Sequence, residues 1–226
     1  MKLSIIIPCY NEKNTIEKIV NQLNSLKIKK QIILVDDKSN DGTTQLIKRI
    51  SKKLDRVIFH KKNLGKGGSI KSAKKFINGD YVVIQDADLE YDPKNLITMF
   101  NLMIKKKYDV LYGSRVLGSN RYVNNENFTS LFRVFANHAL TVFSNIVNKQ
   151  KLTDAHTCYK MFKKEIFNKI SLKENGFSFC PEINTKVSNL DIIIHEVPIN
   201  YKGRSYQEGK KISFSWNFIY KQISSN

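Results

Sequence analysis

Four short runs of almost uninterrupted apolar residues, Leu3 to Ile7, Ile32 to Val35, Tyr81 to Ile84 and Val110 to Tyr112, set the limits on what this chain can fold into. Runs of this length, rich in β-branched residues and without polar alternation, read as strands buried on both faces. Segments of helical character lie between them, including Thr15 to Leu26 and Thr43 to Lys53. Strands alternating with helices imply an α/β protein with a mostly parallel, Rossmann-like central sheet flanked by helices. In such sheets ligands settle beyond the carboxyl ends of the strands. The polar clusters of the first half follow strands: Pro8 to Glu12, Asp36 to Asp41, Asp86 to Asp92 and Gly113 to Arg115.

The second half reads differently. Phe128 to Lys149 is a long helical candidate whose apolar residues suit either a core helix or one touching a membrane face. Asp154 to Phe162 and Ile192 to Pro198 read as further sheet segments. Residues 1–211 are read as one domain. Residues 212–226 are read as an aromatic and basic tail that suits docking on the domain or lying at a membrane surface.

The acidic clusters carry the chemistry. Asp86 and Asp88 stand two residues apart at a strand end, where they can converge on a hard divalent cation, with Glu90 as a third oxygen donor. The same spacing also serves a loop in which Asp86 starts a turn and Asp88 caps a helix. Asp36 and Asp37 end a second strand, and one carboxylate there can bond a base or ribose. The alternative is a loop that caps the helix from Thr43. Asn63 to Ser69, with Lys66 and Gly67, is a glycine-rich turn entering a helix, a form that suits a phosphate or ribose. It lacks the spacing of a Walker A loop or a dinucleotide fingerprint.

These pieces together resemble family 2 glycosyltransferases of the GT-A fold: Pro8 to Glu12, Val35 to Asp37 with Asp41 to Thr43, Asn63 to Gly67, Asp86 to Asp88 and Gly113 to Arg115. Asp154 to Lys160, Phe179 to Glu182, Glu196 to Pro198 and the run from Tyr201 to Ile212 are similar to the polyprenyl-phosphate (dolichyl-phosphate) mannose and glucose synthases. The resemblance implies an inverting, metal-dependent hexosyltransferase acting on a nucleotide diphosphate sugar, with a UDP-sugar favoured and GDP-mannose as the other donor it admits, and with a polyprenyl phosphate acceptor. The alternative is a soluble transferase onto a glycan or small hydroxyl. It implies that Pro8, Tyr10, Glu12 and Asp36, with Asp86 and Ala87, hold the nucleotide, and that Asp86, Asp88 and Glu90 hold Mg²⁺ or Mn²⁺. Arg115, Arg204 and Lys211 match basic positions near the donor diphosphate and acceptor phosphate. Asp154 and Glu182 match acidic positions on the acceptor side.

The net charge of +18 attracts anionic partners in general. It also fits a chain whose surface is simply covered by Lys. A nucleic-acid-binding module is the competing class, but strand-end carboxylates would repel a polyanion, so no nucleic acid is expected. Three dispersed cysteines, no signal-like leader and no long apolar stretch lead to the expectation of a cytoplasmic protein, peripheral on an anionic membrane at most. Oligomeric state is not encoded in any of these signals.

Overall fold

The structure is a computed structural model that describes residues 1–117 and 128–203. Its centre is a seven-stranded sheet formed by β1 (Leu3–Cys9), β2 (Lys30–Asp36), β3 (Arg56–Phe59), β4 (Tyr81–Ile84), β5 (Val110–Ser114), β6 (Lys160–Lys163) and β7 (His195–Pro198), in the order β3-β2-β1-β4-β6-β5-β7. Helices α1 (Ile16–Ser25), α2 (Thr43–Ile50), α3 (Gly65–Lys74), α4 (Asn95–Lys106), α5 (Phe128–Asn148), α6 (Lys164–Lys169) and α7 (Phe179–Ser188) complete the layers. The expected α/β architecture with a mostly parallel sheet is what the chain adopts.

The apolar runs explain the centre of the sheet. Ile5, Ile6 and Ile7 of β1 and Ile33, Leu34 and Val35 of β2 are wholly buried, and each such side chain contributes roughly 1.5–3 kcal/mol. Ser4 sits among them because its hydroxyl donates to Gln31 Oε1 at 2.6 Å and accepts from Gly79 N at 2.9 Å. In α1 the buried residues Ile16, Ile19, Val20 and Leu23 recur with helical period and form one inward face.

Strand direction positions the site. β1 pairs in parallel with β2 and β4, and β2 with β3. β6 is antiparallel to both β4 and β5, and β5 is parallel to β7. Only β6 runs backwards, so the carboxyl ends of the other six strands share an edge with the amino end of β6. The chain winds outward from β1 to β2 and β3, then returns to β4 on the other side of β1. The crevice at that reversal is the ligand position of open α/β sheets.

The expected strand Asp154 to Phe162 is shorter than its apolar content implied. Residues 154–159 form a loop at the carboxyl edge, and β6 begins only at Lys160. Similarly, β7 starts at His195, three residues after the expected Ile192. The expected tail, residues 212–226, lies outside the described residues, as do Arg204 and Lys211.

Candidate active site

The loops after β1 and β2 are fastened to each other. Asn11, in the left-handed region at φ 52°, donates from Nδ2 to Asn40 Oδ1 and accepts from Asn40 N, both at 2.9 Å. Glu12 N donates to Thr43 Oγ1 at 2.9 Å, and the buried Glu12 carboxylate accepts from the Thr15 hydroxyl at 2.6 Å. Asp36 is 1% exposed and accepts from Ser39 N and the Thr44 hydroxyl. Pro8 lies half-buried in β1, while the Tyr10 ring at its end is 38% exposed. A partly open aromatic ring just after β1 and a fixed carboxylate at the end of the adjacent β2 suit a nucleoside.

Asp37 has a separate task. Its oxygens accept from Leu64 N at 2.8 Å and Gly65 N at 2.7 Å, the entry of the glycine-rich turn. His60 lies 2.7 Å from the same carboxylate through Nδ1. A carboxylate only accepts, so Nδ1 carries the proton, and Nε2 lies 2.8 Å from the Ser72 hydroxyl. On the other side Gly68 N donates to Asn175 O at 2.9 Å. A Cβ on Gly67 would stand 2.4 Å from Glu174 O, and one on Gly65 would stand 2.7 Å from Asn175 O. These glycines therefore admit the backbone of residues 174–176. The expected phosphate or ribose cradle is filled by protein at Gly67, and three of the turn's N–H groups already have protein acceptors.

Lys66 alone reaches out of this turn toward the acidic loop. Its ammonium bonds Asp86 Oδ1, with Cys158 Sγ at 3.4 Å and the Phe179 ring centroid at 5.7 Å. Burial opposes the charge on Lys66. Asp86, with smaller help from Cys158 and Cys180, outweighs that opposition and raises its pKa well above the ordinary lysine value. Burial pushes the Cys158 thiol upward, which makes it inert packing rather than a nucleophile. Ala87 is buried beside Asp86. Asp88 Oδ1 accepts from Glu90 N at 3.1 Å, closing the loop on itself. The Glu90 carboxylate accepts from the Tyr201 hydroxyl at 2.7 Å.

Arg115 follows β5, and its guanidinium meets Asp154 twice, Nε to Oδ2 and Nη2 to Oδ1, each at 2.7 Å. Arg115 N adds a third bond to Oδ2 at 3.0 Å. Burial works against the guanidinium, but Asp154 holds its pKa well above the usual value. Asp154 is thus engaged as the orienting partner of a cation. Glu196 supports this loop by accepting from Thr153 N at 2.6 Å and Asp154 N at 3.0 Å, while burial raises its pKa. Beneath it Lys160 is wholly buried, donating to Ala155 O at 2.8 Å and lying 3.7 Å from the Tyr112 ring centroid. Burial lowers its pKa to about 8, and burial likewise lowers neighbouring His156 to about 3.

Glu182, expected on the acceptor side, is 4% exposed and accepts from Lys173 N at 2.6 Å and Glu174 N at 2.9 Å. It holds the loop that packs on Gly65 and Gly67. Its position in the first turn of α7 explains the burial, because Phe179, Cys180, Pro181 and Ile183 around it are core residues.

Comparison with known proteins decides the kinship: the sequence pattern of glycosyl transferase family 2 matches residues 4–171. The chain belongs to glycosyl transferase family 2. Among family relatives, the dolichol-phosphate mannosyltransferase of Pyrococcus furiosus is 28% identical over 98% of this chain and 63% of its own length. A hexosyltransferase of low-salt glycan biosynthesis from Haloferax volcanii is 25% identical over 89% of this chain and 48% of its own length. The chain thus spans between about half and two thirds of these curated relatives. Among solved structures, glucosyl-3-phosphoglycerate synthase of Mycobacterium tuberculosis with Mn²⁺, UDP-glucose and phosphoglyceric acid superposes with a TM-score of 0.70, at 16% identity, over 99% of this chain and 79% of that one. That likeness shows a shared fold.

The acidic loop of this family 2 chain offers only hard oxygen donors, which fit Mg²⁺ or Mn²⁺. Among the described residues no three His, Cys, Asp or Glu converge as a ready cage. A cation held by one or two carboxylates plus substrate phosphates requires no such cage. The expectation of Glu90 as a third ligand departs from the arrangement seen, in which Glu90 bonds Tyr201. Four residues were given no role of their own by the sequence: Asp37 as an anchor distinct from Asp36, His60, and Lys160 and Tyr201, which stood only as members of quoted motifs. The Asp37 signal was present as an acidic pair, but nothing in the pair says which member faces ligand.

Proposed function

We propose that this chain transfers a hexose from a UDP-linked donor, with inversion, to an acceptor that carries phosphate. The observation that supports this reading is that Tyr10, Asp36, Asp86, Asp88 and Arg115 stand at or just after the carboxyl ends of β1, β2, β4 and β5, which lie along one edge of the sheet. In this reading Pro8, Tyr10, Glu12 and Asp36 receive the nucleoside, and Asp88 with Asp86 holds Mg²⁺ or Mn²⁺. When bound, such a cation neutralises charge on a diphosphate leaving group. Arg115, held rigid by Asp154, supplies a preorganised positive charge for an anionic substrate group. Arg204 and Lys211, outside the described residues, belong to this reading only as basic positions that the family resemblance assigns to the phosphates.

Two acceptors fit. A hydroxyl on a small or polymeric phosphate-bearing molecule is supported by the likeness to the phosphoglycerate-glucosylating enzyme. Polyprenyl phosphate is supported by the mannosyltransferase relative. It is also favoured by one observation: Asp154 and Glu182 are both engaged with protein donors, and an already anionic phosphate needs no general base. Peripheral membrane contact belongs to the lipid reading. Exposed Phe135, Val142 and Ile146 on α5, together with the net positive charge, support it. No helix among the described residues is long and apolar enough to cross a membrane.

The deciding experiment is product-resolved transfer from UDP- and GDP-sugars to phosphoglycerate and to a short polyprenyl phosphate, with Mn²⁺ or Mg²⁺. Metal-dependent product with one acceptor, lost in Asp88→Ala, is the expected result and selects the acceptor. No metal-dependent turnover of any nucleotide sugar would reject the reading.

A further inference from the structure

Tyr201 follows β7 at the point where the chain crosses the acidic loop, and it is held there through its hydroxyl, its ring and its backbone. Its hydroxyl donates to Glu90 Oε2 at 2.7 Å. Its ring meets Tyr91 edge-on, with centroids 5.1 Å apart, and the Arg115 guanidinium carbon lies 5.2 Å from the ring centroid. The backbone joins in: Tyr91 and Tyr201 form an antiparallel bridge, and Lys202 N donates to Glu90 O at 2.8 Å. One turn along, Asn95 Nδ2 donates to Asn200 O at 3.0 Å, and Asn200 N donates back to Asn95 Oδ1 at 3.3 Å. The strap 200–202 is therefore sewn to the segment between β4 and α4. The phenol remains a donor, because burial, with Glu90 beside it, raises its pKa.

Two roles are open to a phenol that donates to a carboxylate near a cation site. It can orient a carboxylate already aimed at the cation, in which case its loss weakens metal binding. Alternatively it can hold the carboxylate elsewhere, in which case its loss frees a ligand. The described carboxylates decide between them, since Asp86, Asp88 and Glu90 do not converge here, while Glu90 is bonded to the strap through both its side chain and its carbonyl. We infer that Tyr201 is a positioning residue that competes with the divalent cation for Glu90, holding this carboxylate on the strap so that a cation recruits it only by breaking the Tyr201–Glu90 bond. The inference rests on the proposed cation-dependent function. It links occupancy of the acidic loop to the strap that leads directly into Arg204, and it leaves Asp88 as the primary protein ligand.

The test is titration of the full chain, saturated with UDP, with Mn²⁺, following free Mn²⁺ by electron paramagnetic resonance. Tyr201→Phe keeps the ring between Tyr91 and Arg115 and removes only the hydroxyl. It should tighten apparent Mn²⁺ binding by about tenfold, the scale of a lost charge-assisted hydrogen bond. In a Glu90→Gln background the same substitution should change little. Unchanged or weaker binding in Tyr201→Phe overturns the inference, as does an equal gain with Glu90→Gln. If Tyr201→Phe fails to fold, the tyrosine Raman signal of the unmodified chain replaces it. Mn²⁺ should shift that signal in the unmodified chain but not in Glu90→Gln, and an absent shift overturns the inference. An unmodified chain that binds no Mn²⁺ with UDP would reject the proposed function as well, whereas normal binding with no effect of Tyr201→Phe rejects this inference alone.

Discussion

Arg115 and Asp154 face each other through two parallel bonds of 2.7 Å, with 11% and 2% of their side chains exposed. Replacing Asp154 by Ala strands a buried guanidinium, a loss of roughly 3 kcal/mol. Urea unfolding checks this, and Asp154→Asn should lose less because it keeps one acceptor. A loss below about 1 kcal/mol in Asp154→Ala would mean that water reaches the guanidinium and the pair is not a buried one.

Gly67 and Gly176 make a matched pair of substitutions. Ala at 67 meets Glu174 O at 2.4 Å, while Ala at 176 meets nothing within 4 Å. Overpacking against backbone predicts that Gly67→Ala is destabilised by about 1–3 kcal/mol despite its better helix propensity. Gly176→Ala should stay within about 0.5 kcal/mol. Thermal unfolding of both variants measures the contrast directly.

Lys160 predicts an alkaline signature. Its folded pKa is about 8, below the ordinary 10.5 of the unfolded chain. The unfolded state therefore holds more protons between those values, and the lysine's contribution to stability rises with pH from about 8 toward 10.5. Below pH 8 both states are protonated and the contribution is flat. Tyr91, Tyr112 and Tyr159, whose pKa values burial raises, act in the opposite sense near pH 10. The clean observable is the stability of the chain relative to Lys160→Met from pH 7 to 9.5, which should shift in favour of the chain as pH rises.

Asp36→Asn separates the two members of the acidic pair. In the proposed function Asp36, which accepts from Ser39 N, receives the nucleoside, whereas Asp37 anchors the glycine-rich turn. Calorimetry should show UDP binding weakened by about tenfold in Asp36→Asn, the scale of a hydrogen bond to a charged group. Asp37→Asn should instead lower thermal stability.

The parts legible in the sequence were those encoded locally. β1, β2, β4 and β5 announced themselves because their residues are buried on both sides, leaving no alternation to confuse with a helix. The four-residue β3, only half-buried at Val57 and Ile58, carries too few apolar positions to stand out. The reversed direction of β6 depends on pairing with β4 and β5, which no local pattern records. The same holds for the site: Asp86 and Arg115 were visible as charges at strand ends. The partners Lys66 and Asp154 stand 20 and 39 residues away, so the fold rather than the motif determines which charges meet. Glu182 was expected on the acceptor side from the resemblance carried by Phe179 to Glu182, and the amides of Lys173 and Glu174 that its carboxylate accepts from are partners sequence does not display.

The backward course of β6 divides the molecule into a working rim and a service rim. Because that one strand enters where the others leave, the loop 154–159 joins the loops after β1, β2, β4 and β5 on the working side. The opposite rim is left with joints such as Ile77 to Asp80 and Lys107 to Asp109, which close the circuit without carrying reactive groups. The joint at Lys106–Lys107 is exposed, so a reporter peptide inserted there should leave the chemistry undisturbed. A single residue added between Asp154 and Lys160 would instead retune Arg115.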